Sequence, residues 1–175
     1  HLATGYDLAG NPLELYTLTP TIMPHGGMLT TASDMGKFMA AFSNGGEGEF
    51  GRILSEDSIQ EMTLYRSSIH PVLPNTTYGF EAVLQIPGVG SSEQIITKAG
   101  DLNGFSSYLW FIPEEHTGVF ITYNNNNSLR EMLYPAFMTE FFPQYMTPAD
   151  LGEFTPSPDQ DLSIFEGHYV DLRLA

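Results

Sequence analysis

The sequence predicts an α+β domain in which an antiparallel sheet is flanked by helices. Four extended runs follow one another, at residues 78–86, 93–98, 105–112 and 117–124. Only short turn signals separate them, and short connections join antiparallel rather than parallel strands. Helical patterns lie on both sides of this block, which is the order expected for a sheet covered by helices.

The composition excludes several classes of function. Apolar residues make up 42% of the 175 residues, with 12 Phe and 9 Tyr, so a packed core is expected. Six Lys and Arg against 21 Asp and Glu give a formal charge of −15, and such a surface repels nucleic acid and anionic lipid. Cysteine is absent and the five His form no HxH or HxxH pair. We therefore expect no nucleic-acid partner, no metal and no cofactor.

A hairpin and two helices are predicted before the strands. Residues 6–16 are expected to turn at an Ala-Gly-Asn-Pro sequence. The first helix has a capping pattern, Thr31 with Asp34 three residues later, and it ends at the Ser-Asn-Gly-Gly of residues 43–46. Ser55 begins the second helix, whose first turn is acidic, where the helix dipole favours carboxylates.

A third helix is predicted after the strands, over residues 128–142. Ser128, with Glu131 three residues later, is a capping pattern, and Pro135 is predicted to kink the helix. The spacing of apolar residues predicts a buried face formed by Leu129, Met132, Leu133, Ala136 and Phe137.

The end of the chain is predicted to be organised separately. Residues 147–159 contain three prolines and no periodicity, which is typical of a linker. Residues 160–175 then begin a new strand-like unit, so the main domain is expected to span residues 1–146. Because the chain opens at His1 rather than Met, we expect it to be a segment of a longer protein.

The sequence contains no complete catalytic set. The nucleophile motifs GxSxG and Ser-x-x-Lys are absent, and so is the phosphate-binding loop GxxxxGK. What remains is Lys98-Ala99-Gly100, at the predicted end of a strand. A lysine there can offer a cation to a substrate carboxylate, glycine lets a ligand approach the backbone, and the Asp101 amide can act as an oxyanion donor. On residue types alone, a solvated lysine before an ordinary turn is the simpler interpretation.

Several short motifs occur in a characteristic order. They are Gly5-Tyr6, the P-x-G-G stretch from Pro24 to Asp34, the stretch from Gly51 to Ser55, Tyr78-Gly79, and a hairpin from Lys98 to Asn124. Over roughly residues 3–145 their order resembles the serine β-lactamase-related family. That family includes class C β-lactamases, penicillin-binding D,D-peptidases and related esterases.

The resemblance implies a fold and a reaction. Residues 1–146 would be the C-terminal part of a β-lactamase/transpeptidase-like domain, and residues 160–175 the start of a small β-rich domain. The parent protein would be a serine hydrolase that forms an acyl-enzyme with a small-molecule or peptide acyl substrate. Its Ser-x-x-Lys and Tyr-x-Asn motifs would lie upstream of His1, so this segment alone is expected to be inactive. An extracytoplasmic location (periplasmic, cell-surface or secreted) is implied as well.

The resemblance also implies site residues. Lys98-Ala99-Gly100 takes the place of the third active-site motif, K-T-G or H-x-G. The implied catalytic residues are Lys98, Gly100 and Asp101, and the implied substrate-binding residues are Ala99 and Asn124, which matches a strand-terminal Asn of the family. No metal is implied.

Two departures from the family pattern leave the substrate open. Ala99 replaces a residue whose hydroxyl often holds a β-lactam carboxylate, and Asp101 puts an acid where glycine or serine is usual. Both argue against efficient β-lactam hydrolysis and leave esterase or peptidase activity. They also support an alternative, a catalytically silent homologue that acts as a binding or scaffold protein. In either case we expect self-association or pairing with a missing N-terminal half, because a sheet face and a strand edge would lack partners.

Overall fold

The computed structural model describes residues 2–15, 20, 23–70, 73–82, 95–146 and 161–169. A small hairpin joins β1 (Glu47–Gly48) to β2 (Gly51–Arg52). The main sheet has six antiparallel strands, and each pairs with the next along the chain. They are β3 (Ser67–His70), β4 (Leu73–Thr76), β5 (Glu81–Ala82), β6 (Ile96–Leu102), β7 (Phe105–Ile112) and β8 (Thr117–Tyr123).

Helices lie before and after this sheet in the described residues. The α-helices are α1 (Met23–Gly26), α2 (Ala32–Ser43), α3 (Glu56–Thr63) and α4 (Leu129–Phe141). Short 3₁₀ helices cover Pro113–Glu115, Pro143–Tyr145 and Leu162–Phe165. The predicted α+β class, an antiparallel sheet flanked by helices, is confirmed.

The predicted starts of α2 and α3 are confirmed by their caps. The Thr31 side-chain oxygen accepts a hydrogen bond from the Asp34 amide, and Ser55 accepts one from the amide of Ser58. The predicted cap of α4 is wrong, because the Ser128 side chain makes no capping hydrogen bond. The side-chain oxygen of Asn127 instead accepts from the Leu129 amide at 3.0 Å, so the residue one position earlier satisfies the helix end.

Of the predicted apolar face of α4, Phe137 packs against the core as expected, but Met132 and Leu133 do not. Met132 is 64% exposed and Leu133 is 39% exposed, whereas Tyr134 and Met138 are buried against the sheet. Tyr134 packs edge-on against the rings of Tyr108 and Trp110. Aromatic rings bury more area than aliphatic side chains, so a tyrosine that hydropathy patterning treats as polar determines which face of α4 meets the core.

The sheet separates two apolar clusters, because alternate residues of β7 point to opposite faces. On the α4 face, Tyr108, Trp110 and Ile112 pack with α4 and with Tyr145. On the other face, Leu109 and Phe111 pack with residues of α2, α3 and β5–β6. The Phe42 and Phe111 rings stack there with centroids 4.6 Å apart. β7 is therefore covered on both sides and anchors β6 beside it.

The N-terminal hairpin forms as predicted over its described residues. Tyr6 and Pro12 pair as an antiparallel bridge, and the Leu13 amide donates to the Gly5 carbonyl at 2.8 Å. The turn contains Gly10 at a φ of 86°, a conformation that glycine adopts without strain. The Asp7 carboxylate accepts from the amides of Ala9 and Asn11 and from the Asn11 side chain.

The predicted end of the strand at residue 98 is wrong. β6 continues to Leu102, and Asp101, expected in the turn, lies within the strand. The turn consists of two residues, Asn103 and Gly104. Such a short turn needs a positive φ, and Gly104 adopts a φ of 78° without strain. Of the predicted strand at 78–86, β5 occupies Glu81–Ala82, and residues 83–94 lie outside the described residues.

The C-terminal residues give little further structure. Of the predicted linker, residues 147–159 lie outside the described residues. In the described stretch 161–169 there is a 3₁₀ helix and no strand, although a strand-like unit was expected there. The division into domains stays a prediction. In the described part of the chain, no helix combines the length and the apolar character needed to span a bilayer.

Candidate active site

The triplet Lys98-Ala99-Gly100 lies in the middle of β6, followed by Asp101. Along β7, Lys98 faces Leu109, Ala99 faces Tyr108 and Gly100 faces Ser107. The pair that closes a two-residue hairpin is directly hydrogen-bonded, and hydrogen-bonded pairs then alternate along the ladder. The closing pair here is Leu102 with Phe105, so Gly100 and Lys98 are the next residues of β6 whose backbone bonds to β7. The backbone N–H and C=O groups of the intervening residues, Ala99 and Asp101, point away from β7.

The edge to which these groups point is open. β5 pairs with β6 only through Ala82 with Ile96 and Glu81 with Thr97. Among the described residues, no strand pairs with β6 beyond Thr97 on this side. The amide N–H of Asp101 and the carbonyl of Ala99 therefore point to an edge that carries no neighbouring strand in the described residues. We call this stretch, residues 98–101, the open edge of β6.

The Lys98 side chain bends back along the open edge. Its ammonium nitrogen lies 3.1 Å from Glu81 Oε1 and 3.4 Å from the carbonyl oxygen of Ala99. About half of the side chain is exposed, at 49%. Lys98 thus lies within the strand rather than before a turn, and it is a half-exposed, ion-paired lysine.

The Asp101 carboxylate lies on the α4 face of the sheet. It accepts hydrogen bonds from both terminal nitrogens of Arg130, at 2.8 and 2.7 Å. The Arg130 side chain is only 13% exposed and also pairs with Glu131. Burial alone lowers the pKa of Arg130, but the carboxylates of Asp101 and Glu131 outweigh it and the pKa is raised. The Asp101 side chain is thus bound on the α4 face, whereas its backbone amide points to the open edge.

Asn126 braces the hairpin that follows the open edge. Its side-chain oxygen accepts from the Gly104 amide at 2.6 Å. Its nitrogen donates to the carbonyls of Leu102 and Phe105, at 2.9 and 2.8 Å, and to the Ser106 hydroxyl at 3.1 Å. Asn126 and Arg130 line a shallow polar recess of about 700 Å³ beside the hairpin. The loop between β8 and α4 therefore holds the end of β6 in place.

Gly100 and Asn124 are placed differently. A Cβ on Gly100 would lie 3.0 Å from the Ser107 hydroxyl oxygen, so the glycine fits a narrow space. Asn124 follows β8, which β7 separates from β6, so it lies about 10 Å from the open edge at ordinary strand spacing. Its side-chain amide donates to the Thr4 carbonyl at 2.8 Å, and its own carbonyl accepts from the Tyr6 amide. These contacts hold the N-terminal segment, and a role of Asn124 in substrate binding stays a prediction.

Four of the five predicted site residues thus lie together on β6, whereas Asn124 does not join them. Sequence reasoning missed Glu81, Arg130 and Asn126. Arg130 had one available signal, since it is one of only six basic residues. Glu81 had none, because it contacts Lys98 from 17 positions away. Among the described residues, no group of three or more His, Asp or Glu is placed to hold a metal ion.

The chain belongs to the Beta-lactamase family, whose model matches residues 2–136. No curated protein matches the sequence. The matched range includes the whole main sheet and the open edge of β6. Family membership places the chain in a superfamily of serine hydrolases and confirms the resemblance drawn from the motifs.

Proposed function

We propose that this chain forms the β6 side of the active site of a serine hydrolase that acts through an acyl-enzyme. The enzyme is of β-lactamase, D,D-peptidase or esterase type, and its substrate is a small-molecule or peptide acyl compound. The observation that carries the proposal is the open edge of β6, where the Asp101 amide points away from β7 and the Lys98 ammonium lies three residues earlier on the same strand. The printed sequence contains no Ser-x-x-Lys. The proposal therefore assigns the nucleophile and its base to sequence outside it.

The proposed reaction uses the backbone of β6 for charge stabilisation. The serine hydroxyl attacks the acyl carbonyl while the base takes its proton, which forms a tetrahedral intermediate with a negatively charged oxygen. The Asp101 N–H donates to this oxyanion, and one such donor is worth about 10²–10³ in kcat. The leaving group departs with a proton, and water then hydrolyses the acyl-enzyme. Gly100 supports this role because it adds no side chain next to the amide.

Other proposals follow from the same assignment. We propose that the protein works outside the cytoplasm, as the family resemblance implies. We also propose that an N-terminal half pairs with this chain, or that the chain self-associates. The exposed apolar residues Met132 and Leu133 on α4 support this pairing, since they form a surface that a partner would cover.

The test uses a protein that carries this chain together with a Ser-x-x-Lys segment. It is incubated with nitrocefin and with 4-nitrophenyl acetate, and acylation is followed by mass spectrometry. We expect one acyl group per molecule on the serine of that motif, and no adduct after that serine is changed to alanine. Absence of an adduct with any aryl ester or β-lactam would contradict the proposal.

The second candidate is a catalytically silent binding or scaffold protein. The ion pair between Lys98 and Glu81 favours it, since the lysine is already engaged, and Ala99 lacks the hydroxyl that often assists a β-lactam carboxylate. A silent homologue would bind acyl ligands at the open edge without forming a covalent adduct. Binding without acylation in the experiment above would therefore favour this candidate.

A further inference from the structure

We infer that Glu81 selects ligands by their charge at the open edge of β6. The site accepts neutral or cationic acyl compounds and disfavours those with a second, free carboxylate. The inference rests on the proposed function, since it names the substrate class of that site. Its central observation is the Lys98 ammonium, which lies 3.1 Å from the Glu81 carboxylate at the start of the open edge.

Glu81 is fixed in this position by its backbone. It is the first residue of β5 and pairs with Thr97, and the Thr97 hydroxyl donates to its carbonyl at 3.1 Å. Because β5 begins at Glu81, no residue of β5 pairs with β6 beyond Thr97, and the open edge starts next to Glu81. Its side chain is 44% exposed, so the carboxylate meets any ligand that enters from solvent along this edge.

The cations beside the open edge are already paired. Lys98 contacts Glu81 and the Ala99 carbonyl, so two of the three donor positions of its ammonium have oxygen partners. Arg130, on the α4 face, is held by Asp101 and Glu131. Around this part of β6 three carboxylates thus accompany two cations, and the whole chain carries a formal charge of −15.

This arrangement discriminates by charge. An anionic ligand that binds Lys98 must share the ammonium with Glu81 or displace it, and in both cases it lies beside a carboxylate that repels it. A neutral acyl ligand can bind the Asp101 amide without breaking the ion pair, and a cationic one gains attraction to Glu81. Because the pair is exposed and screened by solvent, the expected discrimination is modest, about three- to tenfold in affinity.

The test compares matched probes on the full chain and its variants. N-acetylglycine carries an acyl group and a carboxylate, and N-acetylglycinamide is its neutral equivalent. Binding of each is measured by titrating the ¹⁵N-labelled chain and following the amide signals of residues 97–101. In Glu81→Gln, which keeps the size but removes the charge, N-acetylglycine should bind about three- to tenfold more tightly. The affinity for N-acetylglycinamide should not change.

Two variants control for trivial explanations. Glu47→Gln removes the carboxylate of another exposed ion pair, Arg52 with Glu47 at 3.1 Å, and should leave both affinities unchanged. The double variant with Glu81→Gln and Lys98→Gln should lose the gain for N-acetylglycine, because the freed cation is gone. Thermal midpoints should be equal in Glu81→Gln and Glu47→Gln, since both pairs are exposed to a similar degree.

Three results would overturn the inference. The first is an equal affinity for N-acetylglycine in the unmodified chain and in Glu81→Gln. The second is a gain that also appears in Glu47→Gln or persists without Lys98. The third is no signal change with either probe in any variant, since the edge would then bind no acyl ligand. Failure of the acylation experiment with a preserved effect of Glu81→Gln would count against the hydrolase and leave the binding preference intact.

Discussion

Arg130 and Asp101 join α4 to the strand of the candidate site through two hydrogen bonds of 2.8 and 2.7 Å. The pair holds the Asp101 carboxylate on the α4 face, whereas Lys98 is paired with Leu109 and points to the other face. The acid that replaces the usual glycine or serine is thereby held on the face opposite to Lys98, where Arg130 balances its negative charge.

The first prediction concerns this pair. Arg130→Met should lower the free energy of unfolding by about 1–2 kcal/mol, because a bidentate, charge-assisted contact is lost while Asp101 stays partly hydrated. Urea denaturation measures the change. The matched control is Glu47→Gln, which breaks an ion pair with Arg52 whose two side chains are both about half exposed and should cost no more than about 0.5 kcal/mol. Equal losses in the two variants would contradict a special role for Arg130.

The second prediction concerns the close packing of Gly5 and Gly104. A Cβ on Gly104 would lie 2.9 Å from the Gly5 Cα, and Gly104 also has a φ of 78°. Gly104→Ala should therefore cost about 2–4 kcal/mol through backbone strain and overpacking together. Thermal and urea denaturation measure the loss.

Two other glycines separate these causes. Gly10 has a φ of 86° but no atom within 4 Å of its added Cβ, so Gly10→Ala should show only the strain, about 1 kcal/mol. Gly36 lies in α2 with open space around it, and Gly36→Ala should stabilise the chain by up to about 1 kcal/mol. A cost for Gly104→Ala no larger than that for Gly10→Ala would show that the contact with Gly5 is unimportant.

The third prediction is a pH dependence at the N-terminal hairpin. Hydrogen bonds from the Asn11 side chain, then from the backbone amides of Asn11, Ala9 and Gly10, lower the pKa of Asp7. A carboxylate whose pKa is lowered by folding stabilises the folded state above its unfolded pKa of about 3.9. That stabilisation disappears as the pH falls through the lowered pKa. The hairpin should therefore be less stable below the lowered pKa of Asp7 than at neutral pH.

Titration of the Asp7 carboxyl carbon by NMR measures this pKa directly. Asn11→Ala should raise it toward the ordinary value, because the side-chain donor is removed. Asn44→Ala is the control, since the Asn44 side chain bonds to the Glu47 carbonyl and does not contact Asp7. A pKa that does not respond to Asn11→Ala would mean that the side-chain donor has no influence.

The fourth prediction is that the printed chain alone forms no acyl-enzyme by the family mechanism. The reason is chemical, since an unactivated serine is a weak nucleophile and no Ser-x-x-Lys is present. Incubation with nitrocefin and 4-nitrophenyl acetate, followed by mass spectrometry, is the measurement. A stoichiometric adduct on one serine of this chain would refute the prediction and identify a different nucleophile.

Local signals predicted the fold better than the site. The caps at Thr31 and Ser55 depend on residues three positions apart, and such short-range patterns can be recognised in the sequence. The buried face of α4 could not be recognised, because it depends on the ring of Tyr134 packing against β7. The sequence predicted that the strand ends at Lys98, whereas β6 continues to Leu102, and the pairing of Lys98 with Glu81 is a tertiary contact that no local pattern reveals.

The bent side chain of Lys98 also bears on how copies of the molecule meet. An unpaired strand edge is a template onto which another polypeptide can add a strand, and natural proteins guard such edges with charged side chains. Here an ammonium and a carboxylate lie directly on the edge, and the ammonium covers the carbonyl of Ala99. Edge-to-edge pairing of two copies would have to remove water from the Lys98–Glu81 ion pair of each copy. It would also have to break the contact between the ammonium and the Ala99 carbonyl in each. The ion pair of Lys98 and Glu81 therefore opposes the addition of a further strand to this edge, and with it sheet extension and fibril growth.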